Sequence, residues 1–143
     1  MAKMIFVNLP VADLGRSIAF YEALGMTRNA QFSDETGACM VFSDTIYVML
    51  LTHAKFAGFT PRAIPDARET SQVLLAISCD SRADVDRLNA AALAAGGAEA
   101  APTQDHGFMY GRSFADPDGH IWEPYWMNMT PADQAVAPES CAA

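Results

Sequence analysis

One carboxylate stands among apolar and aromatic neighbours near the carboxyl end of the chain. Glu123 lies within HIWEPYW at residues 120–126, and the aromatic and β-branched content of this run predicts a strand. The preceding Asp116-Pro117-Asp118-Gly119 predicts a tight turn, since proline presets φ and glycine permits a positive φ. A buried carboxylate is costly unless it is paired, protonated or bound to a cation. Glu123 therefore needs a structural partner or a functional role.

Several side chains are candidates to act with Glu123. Tyr110 and Arg112 share one face of the preceding predicted strand. Arg112 could neutralise Glu123 or bind an acidic ligand bidentately, and the structural pair is favoured because buried carboxylates usually have protein partners. Tyr110 with Glu123 could support metal-free acid–base catalysis. His106 and His53 are candidates for a general base or a metal ligand, although a loop histidine is more often simply exposed.

Composition excludes some partners and favours others. The net charge is −8 and the pI ≈ 4.6, which disfavours nucleic acid because phosphate binding needs clustered Lys and Arg. No apolar run approaches the roughly 20 residues of a membrane span, and MAKMIFVNLP at the N-terminus lacks signal-peptide features. Three cysteines without CxxC spacing are typical of reduced thiols. We therefore expect a cytoplasmic protein with no membrane partner.

Two stretches repeat one order of elements. In residues 3–51, an alternating strand at 4–11 precedes a helix at 14–24, capped by Asp13 and stopped by Gly25. Strands at 26–32, 38–42 and 46–51 follow. Residues 52–71 are predicted to be a linker with a short helix at 53–59. Residues 72–127 restart with a strand at 72–79 and a helix capped by Asp80 or Ser81, and continue with strands near 98–101, 106–115 and 120–126.

This order predicts an α+β fold of two β-α-β-β-β modules in a single domain over residues 1–127. Module one covers 3–51, the linker 52–71 and module two 72–127. Residues 128–143 are rich in Ala and Pro and predict a loosely ordered tail, in which Thr130 could start one short helix.

The repeat, with D-L-x-R-S-x-x-F-Y at residues 13–21 and D-P-D-G-x-x-x-E at 116–123, resembles the vicinal oxygen chelate (VOC) superfamily. That superfamily includes glyoxalase I, bleomycin-resistance proteins and extradiol dioxygenases. The resemblance covers about residues 3–127. It implies that the curved sheets of the two modules form a glyoxalase/bleomycin resistance/dioxygenase-type open cup, and that the protein forms a homodimer.

The resemblance also implies where a metal would bind. Metal-dependent members place one ligand on the first and last strands of each module, and the corresponding positions here are Phe6, Met49, Leu74 and Glu123. Only Glu123 matches, because Phe and Leu cannot coordinate a cation and the Met thioether suits soft metals. We therefore expect no cofactor. The alternative is a divalent metal (Zn, Ni, Fe or Mn) held by Glu123 with His106 or His53.

Strand alternation predicts which side chains line the cup. With Glu123 they are Phe6, Asn8, Tyr47, Met49, Leu51, Leu74, Ala76, Ile121 and Tyr125, with Arg112 on the neighbouring strand. A mostly apolar hollow with a few polar groups is typical of a site for a small organic ligand, although such residues could also simply fill a core. We expect a small-molecule-binding protein with a degenerate metal site. The alternative is a metal-dependent glyoxalase-type lyase or isomerase, or an extradiol-type dioxygenase, so the sequence leaves open whether it is an enzyme.

Overall fold

A computed structural model of the chain describes residues 2–128. Apart from Asn128, the tail predicted over 128–143 lies outside these residues, and so does the helix proposed to start at Thr130. Within the described part of the chain, no helix is both long and apolar enough to cross a membrane.

Module one follows the predicted order of elements. These are β1 (Ile5–Val11), α1 (Leu14–Ala23), β2 (Thr27–Asn29), a 3-10 turn (Ala30–Phe32), β3 (Gly37–Val41) and β4 (Ile46–Thr52). The sheet order is β1-β4-β3-β2, with β1 parallel to β4. The Asp13 side chain accepts a hydrogen bond from the backbone N–H of Arg16 at 3.0 Å, which caps α1 as expected.

The linker contains α2 (His53–Ala57) and then crosses to the second module. Thr52 caps α2 through its side-chain oxygen, which accepts from the backbone N–H of Lys55. Further along, Arg68 Nη2 donates to the carbonyl of Pro117 at 2.6 Å, so the linker is fastened to the turn before the last strand.

Module two has the same order, but its two middle strands are divided. The elements are β5 (Leu75–Ser78), α3 (Arg82–Ala94), β6 (Ala98–Glu99), β7 (Gln104–Asp105), β8 (Met109–Gly111), β9 (Phe114–Ala115) and β10 (Ile121–Met127). The predicted single strand at 106–115 is wrong in its bounds. Arg112 N donates to the Pro124 carbonyl, but Pro124 has no N–H to donate in return, so the ladder breaks between β8 and β9. Ser81, rather than Asp80, caps α3.

The two modules share one hydrophobic core on the helical side of their sheets. Phe20 and Tyr21 of α1, Leu88 of α3, and Phe114 and Trp122 of the last hairpin all belong to it. The predicted α+β fold is confirmed, with sheets that curl into a half-barrel. The opposite faces of the sheets point away from α1 and α3, and we call them the open faces.

Candidate functional site

The open face of module one is apolar and partly aromatic. In the parallel register of β1 and β4, Phe6 pairs with Tyr47 and Asn8 with Met49, so these side chains share a face. The Phe6 and Tyr47 rings stack with their centroids 4.5 Å apart. Leu51 follows on the same face by strand alternation. This surface offers flat aromatic and flexible thioether groups for contact with an organic molecule.

The open face of module two carries Glu123. In the parallel register of β10 and β5, Glu123 pairs with Ala76 and Tyr125 with Ser78. Ile121 lies on the same face by alternation. Leu74, one residue before β5, also falls on this face and is 55% exposed.

Glu123 is half-buried and has no polar protein partner in the described part of the chain. No hydrogen bond or ion pair to its carboxylate forms among residues 2–128, and its neighbours in the sheet are apolar. A partly desolvated carboxylate without a partner retains its full capacity to bind a donor or a cation. Glu123 is therefore the chemically distinctive group of this face.

The structure corrects the predicted placement of Tyr110 and Arg112. Tyr110 pairs with Trp126 in the antiparallel register, and Arg112 lies opposite Pro124, so both point to the helical side of the sheet, away from Glu123. There they form a hydrogen-bonded network with Asp86 of α3 and Glu99 of β6. Tyr110 OH donates to Asp86 at 2.6 Å, Arg112 Nη1 donates to Asp86 at 3.3 Å, and Arg112 Nη2 donates to Glu99 at 2.6 Å. The predicted Arg112–Glu123 pair is wrong, and Arg112 does not line the cup.

The Tyr110 hydroxyl is also poorly suited to catalysis with Glu123. Its hydrogen bond to the Asp86 carboxylate raises the pKa of Tyr110, because the negative charge of Asp86 opposes formation of a phenolate. Together with its position on the helical side, this removes the geometric basis for a Glu123–Tyr110 acid–base pair.

The three histidines are dispersed. His106 is exposed in the β7–β8 hairpin, and His53 is exposed at the first position of α2. His120 is half-buried, with Nε2 at 2.8 Å from the carbonyl of Pro10. Among residues 2–128, no group of three or more His, Cys, Asp or Glu side chains could hold a metal ion. The structure thus does not assemble His106 or His53 with Glu123 into a cation site.

The cysteines in the described residues are not activated. Cys39 is buried on β3 opposite Met49, and burial raises the pKa of its thiol. Burial, followed by the charge of Asp84, raises the pKa of Cys79 to about 11. Both thiols are protonated at neutral pH, which makes them poor nucleophiles.

Two carboxylates that the sequence analysis did not identify as contacts, Asp116 and Asp118, connect the two modules. Asp118 accepts hydrogen bonds from Ala12 N at 2.9 Å and Ser17 Oγ at 3.3 Å, both in module one. Asp116 accepts from the Tyr21 hydroxyl at 2.6 Å, and Trp122 Nε1 donates to the same hydroxyl at 3.0 Å. The sequence predicts Asp116 and Asp118 only as turn residues. The polar groups of Ser17 and Tyr21 on the buried side of α1 are the signal that could have indicated their buried hydrogen-bond partners.

Burial has the largest effect on the pKa values of Asp116 and Tyr21 at this junction. It raises the pKa of Asp116, although the nearby His120 and the hydrogen bond from Tyr21 lower it. It also raises the pKa of Tyr21 well above its usual range, and the adjacent Asp116 charge adds to the effect. Asp116 and Tyr21 thus form a hydrogen-bonded pair that is withdrawn from solvent.

A cavity that combines cup and linker residues lies beside this junction. Its volume is about 450 Å³, and it is bounded by the linker, the end of β1 and the start of β10. It is lined by Asn8, Leu9, Pro10, Phe56, Thr60, Arg62, Ala63, Pro65, Ala67, Thr70, Ser71, Gln72, Val73, Leu75, Gly119, His120 and Ile121. We call it the linker cavity. Of the predicted cup residues, only Asn8 and Ile121 line it.

The fold is shared with solved structures. A hypothetical protein from S. aureus, SA1046, superposes with a TM-score of 0.74 at 25% identity, over 88% of this chain and 94% of that chain. A glyoxalase-related enzyme from Fulvimarina pelagi gives a TM-score of 0.75 at 23% identity, over 93% of this chain and 95% of that chain. The fosfomycin resistance protein FosX from Mesorhizobium loti gives a TM-score of 0.67 at 18% identity, over 94% of this chain and 98% of that chain. No curated protein sequence matches this chain.

The sequence also matches a family profile over most of its length. Residues 3–123 match the Glyoxalase/Bleomycin resistance protein/Dioxygenase superfamily. The chain therefore belongs to this superfamily, the VOC superfamily, as the two sequence motifs indicated.

The metal that the family implies does not fit the residues present. The registers place Phe6 and Met49 on the open face of module one and Glu123 on that of module two, with Leu74 beside β5. A divalent site needs three or four N, O or S donors, and this set offers one carboxylate and one soft thioether. The side chains at these four positions are unable to form a tight site.

Proposed function

We propose that the protein binds a small organic molecule against the open faces of its sheets, without a tightly held metal. The observation that carries the proposal is Glu123, a half-buried carboxylate with no protein partner among residues 2–128, flanked by Ile121 and Tyr125. An apolar surface with one directional polar group is typical of small-molecule sites. Glu123 would accept a hydrogen bond from the ligand or pair with a positive charge on it.

The experiment is a thermal-shift screen of cationic, neutral and anionic organic compounds against the wild-type protein and Glu123→Gln, each with and without a chelator. We expect compounds that stabilise the wild type, lose most of that stabilisation in Glu123→Gln, and do not respond to the chelator. Glu123→Gln keeps the side-chain shape and removes the charge, which makes it the matched variant. Equal stabilisation of both proteins by every active compound would contradict a binding role for Glu123.

Elemental analysis of the purified protein distinguishes the proposal from a metalloenzyme of the glyoxalase or dioxygenase type. We expect substoichiometric divalent metal. A stoichiometric content of Zn, Ni, Fe or Mn that is lost in Glu123→Ala would favour the metalloenzyme and overturn the metal-free proposal.

We further propose that the protein acts as a cytoplasmic homodimer in which a second copy covers the open faces. β1 and β5 are edge strands of their sheets within residues 2–128. The large apolar side chains beside these edges are exposed, Met4 by 54%, Phe6 by 47% and Leu74 by 55%. Free sheet edges with exposed apolar side chains are ready to pair with another chain.

The assembly is tested by light scattering after size-exclusion chromatography. We expect a dimer for the wild type, a monomer for the double variant Phe6→Asp with Leu74→Asp, and a dimer for the control Phe59→Asp. Phe59 is even more exposed, at 69%, but follows α2 in the linker and is part of neither edge strand. A monomeric wild-type protein would contradict the proposal.

A further inference from the structure

We infer that the linker cavity is a second binding site, which shares only Asn8 and Ile121 with the predicted cup and does not include Glu123, and that it takes a small monocarboxylate with an apolar body. Its volume of about 450 Å³ lies within the roughly 300–1,000 Å³ range of small-molecule sites. It is closed on one side by the linker, which the sequence interpretation treated only as a connection.

The charge of its wall is opposite to that of the chain. The sequence holds 17 acidic and 9 basic residues, Lys and Arg together, but none of the described residues that line this cavity is acidic. Arg62 lies in the wall, and its guanidinium has no carboxylate partner among residues 2–128. Arginine presents a planar fork that matches a carboxylate, so this wall selects an anion.

His120 supplies a second, oriented polar group. Its Nε2 is held against the Pro10 carbonyl. A carbonyl oxygen can only accept, so Nε2 carries the proton, and Nδ1, which has no partner in the described part of the chain, is an acceptor in the neutral ring. Besides Arg62, the donors available to a carboxylate are the side-chain amides of Asn8 and Gln72 in the cavity wall.

Two acidic groups that adjoin wall residues in the sequence face a different space. Asp66 and Asp118 line a smaller cavity of about 280 Å³ that shares His120 with the linker cavity. Asp118 already accepts hydrogen bonds from module one, and Asp66 accepts from the backbone N–H of Arg68. Their charges are therefore committed elsewhere.

Apart from the hydroxyls of Thr60, Thr70 and Ser71, the remainder of the wall is apolar and fits the body of the ligand. Phe56, Val73, Leu75 and Ile121 contribute aromatic and branched surface. Val73 is 59% exposed, and a ligand would remove it from water. An aromatic acid of one or two rings would provide both an anion for Arg62 and an apolar body for the rest of the wall.

The test compares 2-naphthoate with the neutral 2-naphthalenemethanol by calorimetric titration and by amide NMR. We expect the wild type to prefer the acid, and Arg62→Gln to weaken naphthoate binding by about tenfold, which corresponds to loss of one charge-assisted hydrogen bond. Arg62→Lys should recover part of the affinity. Arg28→Gln is the matched control, because Arg28 lies on β2 and is absent from the walls of the linker cavity.

Several outcomes would overturn the inference. These are equal affinity for acid and alcohol, an unchanged affinity in Arg62→Gln, or no binding of benzoate or 2-naphthoate at millimolar concentration. NMR shifts centred on Tyr47 and Glu123 instead of Arg62, Gln72 and His120 would place the ligand on the open faces. This test rests on Arg62 and that of the proposed function on Glu123, so the two can fail separately.

Discussion

Asp116 and Asp118 belong to the same hairpin as Glu123, but the surroundings of the three carboxylates are different. The two aspartates are buried, and each accepts hydrogen bonds from side chains or backbone of module one. Glu123 is half-buried, points to the open face and has no polar partner within residues 2–128. The acids of the turn are therefore satisfied within the fold, whereas the acid on the strand after it is not.

The comparison teaches how to separate structural from functional carboxylates. A buried carboxylate whose donors come from distant parts of the chain stabilises the fold, since removing it leaves those donors unsatisfied. A carboxylate that faces an apolar surface without a partner contributes little to folding and is available to a ligand. Substitution of Asp116 or Asp118 should therefore lower stability, and substitution of Glu123 should affect ligand binding.

The largest expected effect is on the stability of Asp116→Ala. It leaves the Tyr21 hydroxyl and the backbone N–H groups of Asp118 and His120 without their acceptor. We expect a loss of about 4 kcal/mol in the free energy of unfolding, measured by urea denaturation. Glu123→Ala is the control within the same hairpin, with an expected change below about 0.5 kcal/mol. Similar losses in the two variants would break the distinction.

A second test uses two glycines with positive φ. Gly119 has φ +97, and an added Cβ would lie 2.6 Å from Arg68 N in the linker. Gly107 has φ +79, but nothing lies within 4 Å of its added Cβ. We expect Gly107→Ala to cost about 1 kcal/mol from backbone strain alone and Gly119→Ala about 3 kcal/mol, because the linker must also move.

Urea denaturation of both glycine variants gives the comparison directly. The difference between them measures how tightly the linker packs on the junction. Equal losses would show that the linker yields to an added methyl group, and would weaken the case for a well-formed linker cavity.

The smallest expected effect concerns an exposed carboxylate. Two hydrogen bonds from Arg82, followed by one from Gly107 N, lower the pKa of Asp105 to about 2. A lowered folded-state pKa gives stability that is present above the unfolded value of about 4 and is lost as the pH falls toward the folded value. Asp105→Asn should therefore be slightly less stable than the wild type at neutral pH, and this difference should vanish toward pH 2.

The measurement is the urea midpoint of both proteins over that pH range. Asp44→Asn is the control, because Asp44 is exposed and its carboxylate makes no hydrogen bond in the described residues. Asp105 is fully exposed to solvent, so a loss in Asp105→Asn as large as that of Asp116→Ala would contradict the ranking by burial.

Local patterns were sufficient to predict the order of the elements, but not the bounds of every strand. Asp13 before an apolar stripe predicted α1, and strand alternation placed Phe6 with Tyr47 and Glu123 with Tyr125 on common faces, as the registers have them. These features depend on neighbours in sequence or on the two-residue period of a strand, so the sequence contains them directly.

Long-range register decided the rest. Arg112 lies opposite Pro124 rather than Glu123, and a shift of one residue turns a side chain to the other face of a sheet. Asp116 and Asp118 meet α1 residues about a hundred positions away in the chain, and no local pattern specifies such a contact. The sequence by itself determined the modules, their helices and the acid on the open face. Only the tertiary structure decided which acids are satisfied and where a cavity remains, because both depend on how two separately formed modules pack together.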